Sequence, residues 1–366
     1  MKRLLATTAL ATFAALAAAV PARAEAPAAL IAAAKAEGQL TVIALPRDWC
    51  GYGPMIDKFK ARYGLKVNEL NPDAGSGDEI EAIKANKGNK GSQAPDVIDV
   101  GLSFGPSSKA EGLLQPYKPA TWDSIPADLK DPDGAWIGDY YGVLAMEINK
   151  DLVKKMPTDW SDLLAPEYKN MVALNGDPRT AYNAIVAVYA AGLASGATTA
   201  ETAADAGLKY FAEMNKRGNF VPVVGKAASL AQGTTPIVLR WDYLALADRD
   251  TLKGNPPVEI VVPKTGVVAG VYVQAISAYA PHPNAAKLWI EYLYSDEGQI
   301  DWLKGYCHPV RFNALVADKK VPADVLAKLP PAESYARAVF PSLSEQAATK
   351  SVVTRQWDSV VGAAVK

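Results

Sequence analysis

The side chains best equipped for chemistry gather in three short stretches. Pro46-Arg47-Asp48-Trp49-Cys50-Gly51-Tyr52 sets two opposite charges and two aromatic rings beside a glycine. Aromatic faces attract organic cations and carboxylates pair with them, so this stretch reads as a recognition loop for a small charged solute. A solvated turn with one packed Trp is the plainer alternative. Arg240-Trp241-Asp242 repeats the combination after an apolar run. Asp242 there suits a bound cation or the start of the next helix equally well. In Asn175-Gly176-Asp177-Pro178-Arg179-Thr180, Asp177 suits an N-cap and Pro178 the first helical position. The free amides of such a helix start, with Arg179 and Thr180 beside them, favour an anionic group.

Most motifs for bond-making chemistry are missing. The chain has no HExxH pair, P-loop or glycine-rich dinucleotide turn. His282, between Pro281 and Pro283, reads as a surface turn, and His308 in Cys307-His308-Pro309 has no evident nucleophile beside it. With these 2 histidines and 2 cysteines, no zinc spacing exists, so neither metal nor cofactor is expected. A binding protein fits these residues better than an enzyme, with a secreted hydrolase as the remote rival.

The elements that must carry these stretches alternate. Leu40–Leu45, Leu65–Leu70 and Val97–Val100 read as strands, separated by helical spacing over Met55–Tyr63 and Glu79–Ala85. Asn86–Gln93 is a Gly/Lys/Asn-rich loop, and Asp131–Gly138 reads as a surface connection. A second series begins near Tyr141. It has strands at Val143–Ile148, Met171–Leu174, Phe220–Val224, Ile237–Leu239 and Val258–Val262, and helices at Ala181–Leu193 and Leu208–Lys216. Val267–Ala278 is β-branched and can run back to the first series. Helices follow at Asn284–Tyr294 and Gln299–Lys304, and the tail Ala332–Val365 is helical in pattern. The expected fold class is α/β, with two lobes flanking a cleft, and clefts between domains are where small ligands sit.

Composition sets the address. Lys2 and Arg3 precede an apolar run to Val20 and a small-residue Ala22-Arg23-Ala24 site, the layout of an export signal cleaved after Ala24. A periplasmic location follows. At 49 % apolar and 21 % charged, the chain is globular, and its net charge of −1 falls by three, to about −4, once Lys2, Arg3 and Arg23 leave. No basic surplus is left for a nucleic-acid partner. Cys50 and Cys307 either pair, as thiols in an oxidising compartment often do, or stand as two unrelated buried hydrophobes.

In its ordered motifs the chain resembles the periplasmic solute-binding proteins of ABC importers, within the extracellular solute-binding family 1 group that includes polyamine and ferric-iron binders. The stretches that carry the resemblance are Gly38-Gln39-Leu40-Thr41-Val42; Phe59, Gly64 and Val67; Pro95-Asp96-Val97-Ile98 with Ala110-Glu111-Gly112-Leu113-Leu114; Trp160-Ser161-Asp162-Leu163-Leu164 with Pro166-Glu167-Tyr168-Lys169; and Pro281 through Gln299, including Leu293-Tyr294-Ser295-Asp296-Glu297-Gly298. The resemblance implies a type II periplasmic-binding-protein fold, with residues 25–140 plus 272–310 as one lobe and 141–271 plus 311–366 as the other. It implies a monomer whose lobes close on one small solute and which delivers that solute to membrane permease subunits.

The resemblance also names further candidate contacts. Ser103 and Phe104 fall where relatives place a hydroxyl and an aromatic, although Phe104 is equally suited to core packing. Tyr141, beside Tyr140 at the first crossing, is a candidate aromatic contact, and Trp241 stands where related binders use a tryptophan. Tyr272 and Gln274 match polyamine-contacting positions, with Gln274 replacing an acid. The full candidate set adds Arg47, Asp48, Trp49, Tyr52, Arg179, Thr180, Arg240 and Asp242. It favours a small amine-bearing or zwitterionic solute, a polyamine or ω-amino acid. Phosphonates, carboxylates, sugar phosphates and ferric iron are the alternatives.

Overall fold

Strands and helices alternate through residues 26–329 and 337–366, which the computed structural model describes. The expected export segment and the start of the expected helical tail lie outside the described residues. The first series comprises α1 (Ala28–Glu37), β1 (Gln39–Ile43), α2 (Tyr52–Tyr63), β2 (Lys66–Leu70), α3 (Ser76–Ala85), β3 (Val97–Gly101), α4 (Phe104–Ala110) and β4 (Leu114–Gln115). The long β5 (Ile137–Asn149) leads to β6 (Val172–Leu174), α5 (Tyr182–Ala194), α6 (Ala200–Arg217), α7 (Ala227–Ala231), β7 (Ile237–Trp241), α8 (Asp242–Leu252) and β8 (Val258–Val261). The chain then returns through β9 (Ala269–Ser277), α9 (Pro283–Tyr294), α10 (Asp296–Lys304), β10 (His308–Pro309), α11 (Phe312–Ala317), α12 (Ala323–Leu326) and α13 (Leu343–Val360).

The strands follow the order β2-β1-β3-β9-β5-β7-β6. β1 runs parallel to β2 and β3, and β6 parallel to β7, whereas β9 lies antiparallel to both β3 and β5. β5 serves two sheets. Its first part pairs with β9 and β10, its second with β7 and β8, and its register against β9 shifts between Gly138 and Tyr141. β5 and β9 are therefore the crossings that join the two series, as the return expected over Val267–Ala278 requires. The inner parallel strands β1, β3, β6 and β7 are buried on both faces, which is why they read as largely apolar runs, whereas the edge strand β2 stays partly exposed.

Local signals explain the helix ends. Thr199 caps α6 with Thr202, and Ser342 caps α13 with Glu345 in a reciprocal box. Pro283 opens α9 at a position where no amide is needed. The helix expected from Leu208 begins eight residues earlier, at Ala200, because Ala203, Ala204 and Gly207 form a small buried face against α5. That packing is backbone against backbone. A Cβ on Gly192 would lie 1.8 Å from the Ala203 carbonyl, and one on Gly207 1.9 Å from that of Val188. Only glycine permits so close an approach.

Several expectations need correction. Phe220–Val224 is not a strand; it makes one bridge, Val172 to Phe220, and Pro222 has no amide to continue a ladder. Asp131–Gly138 is not a surface connection. Asp131 is buried, bonds Lys109 and accepts the Ala135 amide, and β5 already begins at Ile137. His282 is not a free surface side chain, since its Nδ1 lies 2.9 Å from Asp96 and its amide donates to the same carboxylate. Helix α1 was not anticipated, whereas α8 follows where Asp242 suggested the start of a helix. Among the described residues no helix is long and apolar enough to cross a membrane.

Candidate functional site

A cavity of about 400 Å³ opens where the carboxyl ends of β1, β2, β3, β6 and β7 face one another. Strand ends of this kind leave loops and helix starts to make contacts. One wall comes from the loop after β1 (Pro46, Asp48, Trp49), the turn before α3 (Pro72–Ser76), and Asp78, Glu79 and Asp99. The other wall comes from Asn175–Asp177, the start of α5 (Thr180–Asn183), Lys226, Arg240 and Leu244. Tyr272 of β9 lies between them.

The walls meet at several points. The Gly77 amide donates to the Thr180 carbonyl at 3.1 Å, and Asp73 pairs with Lys226 at 2.7 Å. Rings close the floor. Trp49 meets Tyr243 and Tyr272 edge-on at 5.7 and 5.6 Å, and Tyr182 meets Tyr272 edge-on at 5.2 Å. The Trp49 indole donates to the Tyr140 hydroxyl at 2.8 Å, and that hydroxyl donates to Asp99 Oδ2 at 2.7 Å. Tyr52 donates to the same oxygen at 2.8 Å, and Gln274 links Tyr52 to Asp139.

The electrostatics of the lining are lopsided. Six acidic residues (Asp48, Asp73, Asp78, Glu79, Asp99 and Asp177) face three basic ones (Lys226, Arg240 and Lys366). Two of those cations already have carboxylate partners. Lys226 holds Asp73, while Arg240 holds Glu147 at 3.0 Å and also Asp248. Burial works against the Arg240 charge, but these two acids outweigh it and raise its pKa. One Arg between two buried acids leaves a negative excess, so burial pushes Glu147 up to about 7 against the pull of Arg240.

On the opposite wall, burial pushes Asp99 up to about 6, although the Tyr140 and Tyr52 hydroxyls favour its charged form. Glu79 and Asp139 are held well above the carboxylate range, first by burial and then by the Asp99 charge. Among the described residues Asp99 Oδ1 and Arg240 Nε make no hydrogen bond. The exposed Asp48 carboxylate makes no ion pair among the described residues.

Of the residues singled out in the sequence, Asp48, Trp49, Thr180, Arg240 and Tyr272 come together on this lining. The others lie elsewhere. Arg47 turns outward to Asp57 and Glu69, and Arg179 is taken by Asp177 and Asp358. Tyr52 and Gln274 lie behind the cavity in the Asp99 network. Ser103 precedes α4, and Phe104 packs beneath the Lys350 ammonium, 3.9 Å from its ring. Tyr141 stacks on His308 at 5.1 Å, on the face of β5 opposite to Tyr140.

Trp241 is fully buried, its ring between Tyr243, Tyr182 and the Gly270 backbone, and it lies behind the cavity, touching the lining residues Tyr182 and Tyr272 through ring contacts and an indole bond to Tyr272. Asp242 neither caps α8 nor faces the cavity; it accepts the Val143 amide at 2.9 Å. Asp177 and Pro178 do not start the helix. α5 begins at Tyr182, and Asp177 instead heads a turn that receives the Thr180 and Ala181 amides. The sequence reading missed Asp73, Ser76, Asp78, Glu79, Asn183 and Lys226. The small-residue run Ala74-Gly75-Ser76-Gly77 directly after a strand was the available signal for four of them. Cys50 and Cys307 form a disulfide, with Cα atoms 5.5 Å apart.

Comparison with known proteins bears on the fold and the family. The spermidine/putrescine-binding periplasmic protein of Salmonella typhimurium is 24% identical over 257 residues, covering 67% of this chain and 71% of that protein. The periplasmic binding protein P5PA superposes with a TM-score of 0.70 at 22% identity, covering 88% of this chain and 99% of its own. The periplasmic binding protein AfuA from Actinobacillus pleuropneumoniae, solved with fructose-6-phosphate bound, gives 0.68 at 20% identity over 89% and 99%. These likenesses establish the type II periplasmic-binding-protein fold that the sequence motifs implied. The model of the family described as bacterial extracellular solute-binding protein matches residues 92–336, and the chain belongs to that family.

Proposed function

We propose that this protein is the periplasmic substrate-binding component of an ABC importer and that it captures a small amine-bearing solute. The halves 25–140 plus 272–310 and 141–271 plus 311–366 act as lobes that close on the solute and present it to permease subunits. One observation carries the choice of solute: Asp73 and Asp177 are paired with Lys226 and Arg179 and Arg240 is held by Glu147 and Asp248, which leaves Asp48, Asp78, Glu79 and Asp99 on the lining without a cation. A cation is what this cavity lacks. The raised pKa values of Asp99 and Glu79 support the reading, because buried acids hold protons when no counter-charge is present. An ammonium would sit between Asp48 and Asp99 with the Trp49 and Tyr272 rings as walls, where each ring contributes about 0.5–2 kcal/mol. Spermidine/putrescine binding in the Salmonella relative agrees with this choice.

The unpartnered Arg240 Nε favours a second form of the same reading, an ω-amino acid whose carboxylate meets that donor. Ferric iron and phosphorylated solutes fit less well, since Tyr140 and Tyr141 point to opposite faces of β5 and the lining is acidic. Calorimetry with putrescine, spermidine, 5-aminopentanoate, fructose-6-phosphate and ferric citrate tests the proposal. Binding of either or both of the diamine and the amino acid supports it. Binding of the sugar phosphate or ferric salt alone overturns it.

A further inference from the structure

We propose that the Cys50–Cys307 disulfide positions the ligand site by fixing the Trp49 ring and the Tyr140 hydroxyl against each other. The inference rests on the reading of the cavity as the solute site. Its geometry is a closed ring of contacts. Trp49 adjoins Cys50, the disulfide crosses to Cys307, and the next two residues are strand β10. In that strand His308 pairs with Tyr141 and Pro309 with Tyr140. The Tyr140 hydroxyl then accepts the Trp49 indole proton at 2.8 Å and closes the ring.

The loop needs such an anchor. Its backbone hydrogen bonds, Trp49 amide to Pro46, Tyr52 amide to Trp49 and Gly53 amide to Arg47, stay within the loop, so only side chains tie it to its surroundings. Cys50 and Gly51 both have left-handed backbones, with φ of 50° and 77°. L-residues avoid that region, so Cys50 keeps it only where surroundings impose it. The surroundings are the disulfide and Gly305, whose Cβ would come within 2.4 Å of the Cys50 carbonyl carbon and 2.6 Å of the Gly51 nitrogen.

The position matters for the solute because Tyr140 passes its own proton to Asp99 Oδ2 at 2.7 Å. One covalent bridge therefore sets both the aromatic wall and the carboxylate behind it. Both cysteines are buried, at 1% and 0% exposure, which fits a fixed brace.

The test is a Cys50→Ala/Cys307→Ala double variant, followed by ¹⁵N NMR of the Trp49 indole N–H, assigned through Trp49→Phe. Indole hydrogen exchange should accelerate by about tenfold or more, with the amides of α5 unchanged. Putrescine affinity should fall by about tenfold, and Trp49→Ala should cost far less in the bridge-free background than in the parent. Exchange within about twofold of the parent overturns the inference. If the intact protein binds no putrescine, the solute reading fails while the indole result still decides this one. If the double variant does not fold, the bridge is cut in the folded parent with a phosphine reductant and the thiols are capped, and indole exchange within about twofold of the oxidised protein overturns the inference equally.

Discussion

Asp73 and Lys226 join opposite walls of the cavity through a 2.7 Å ion pair at its mouth. Both side chains are largely solvated, at 72% and 49% exposure, so the pair contributes roughly 0–1 kcal/mol. Lys226→Ala should weaken solute binding by less than about fivefold, and the difference should vanish in high salt. Calorimetry at two ionic strengths checks this. A loss above about thirtyfold would mean that Lys226 touches the solute directly.

Asp99 should show opposite effects on stability and binding. Its folded pKa of about 6 lies above the ordinary 3.8. Stability from this group is thus fully present below pH 3.8 and is lost as pH rises through 6. Asp99→Asn removes that penalty, up to about 3 kcal/mol at pH 7, and should raise Tm. The same change should weaken amine binding by about 10- to 100-fold. A variant that melts higher and binds undiminished would remove Asp99 from the site.

The pH dependence of affinity follows from the same group. An amine prefers the charged carboxylate, so affinity should be flat above about pH 7 and fall by up to tenfold per unit below pH 6. In Asp99→Asn the fall should disappear. Titration calorimetry from pH 5 to 8 reads both curves.

Trp241→Ala should act on stability first. The ring is fully buried, and deleting it should cost about 3–5 kcal/mol. Binding should suffer less, because Trp241 lies behind Tyr182 and Tyr272 and does not itself line the cavity. Chemical denaturation and calorimetry on one preparation separate the two effects.

His308 should set part of the acid limit. Burial lowers its pKa from 6.5 to about 4, so the unfolded chain takes up the proton first. Stability is complete above about pH 6.5 and declines between 6.5 and 4, by about 3 kcal/mol in all. His308→Gln should lose that decline relative to the parent. The buried acids slope the other way in both proteins, so the difference isolates His308. Urea midpoints at pH 7 and 4.5 give the comparison.

Periodicity made most of the fold legible. Apolar runs marked the inner parallel strands because burial on both faces leaves no polar alternation, and the return over Val267–Ala278 became β9. Phe220–Val224 looked the same, but no neighbouring strand completes a ladder there, which composition cannot reveal. The site was half legible. Asp48 and Trp49 announced themselves by charge and ring beside glycine, whereas Arg47 and Arg179 looked equally suitable until their carboxylate partners were placed. Trp241 shows the limit most clearly. Its neighbours Gly270 and Tyr182 come from distant segments, so nothing local distinguishes a wall from the layer behind it.

The carbonyl contacts at Gly192 and Gly207 leave α5 and α6 no slack between their backbones. If the lobes close as proposed, so tightly packed a pair should move as one unit and carry an angular change at the β5 and β9 crossings to its far side. A fluorophore on the exposed Lys209 of α6 would then report occupancy of the cavity from a surface that never touches the cargo.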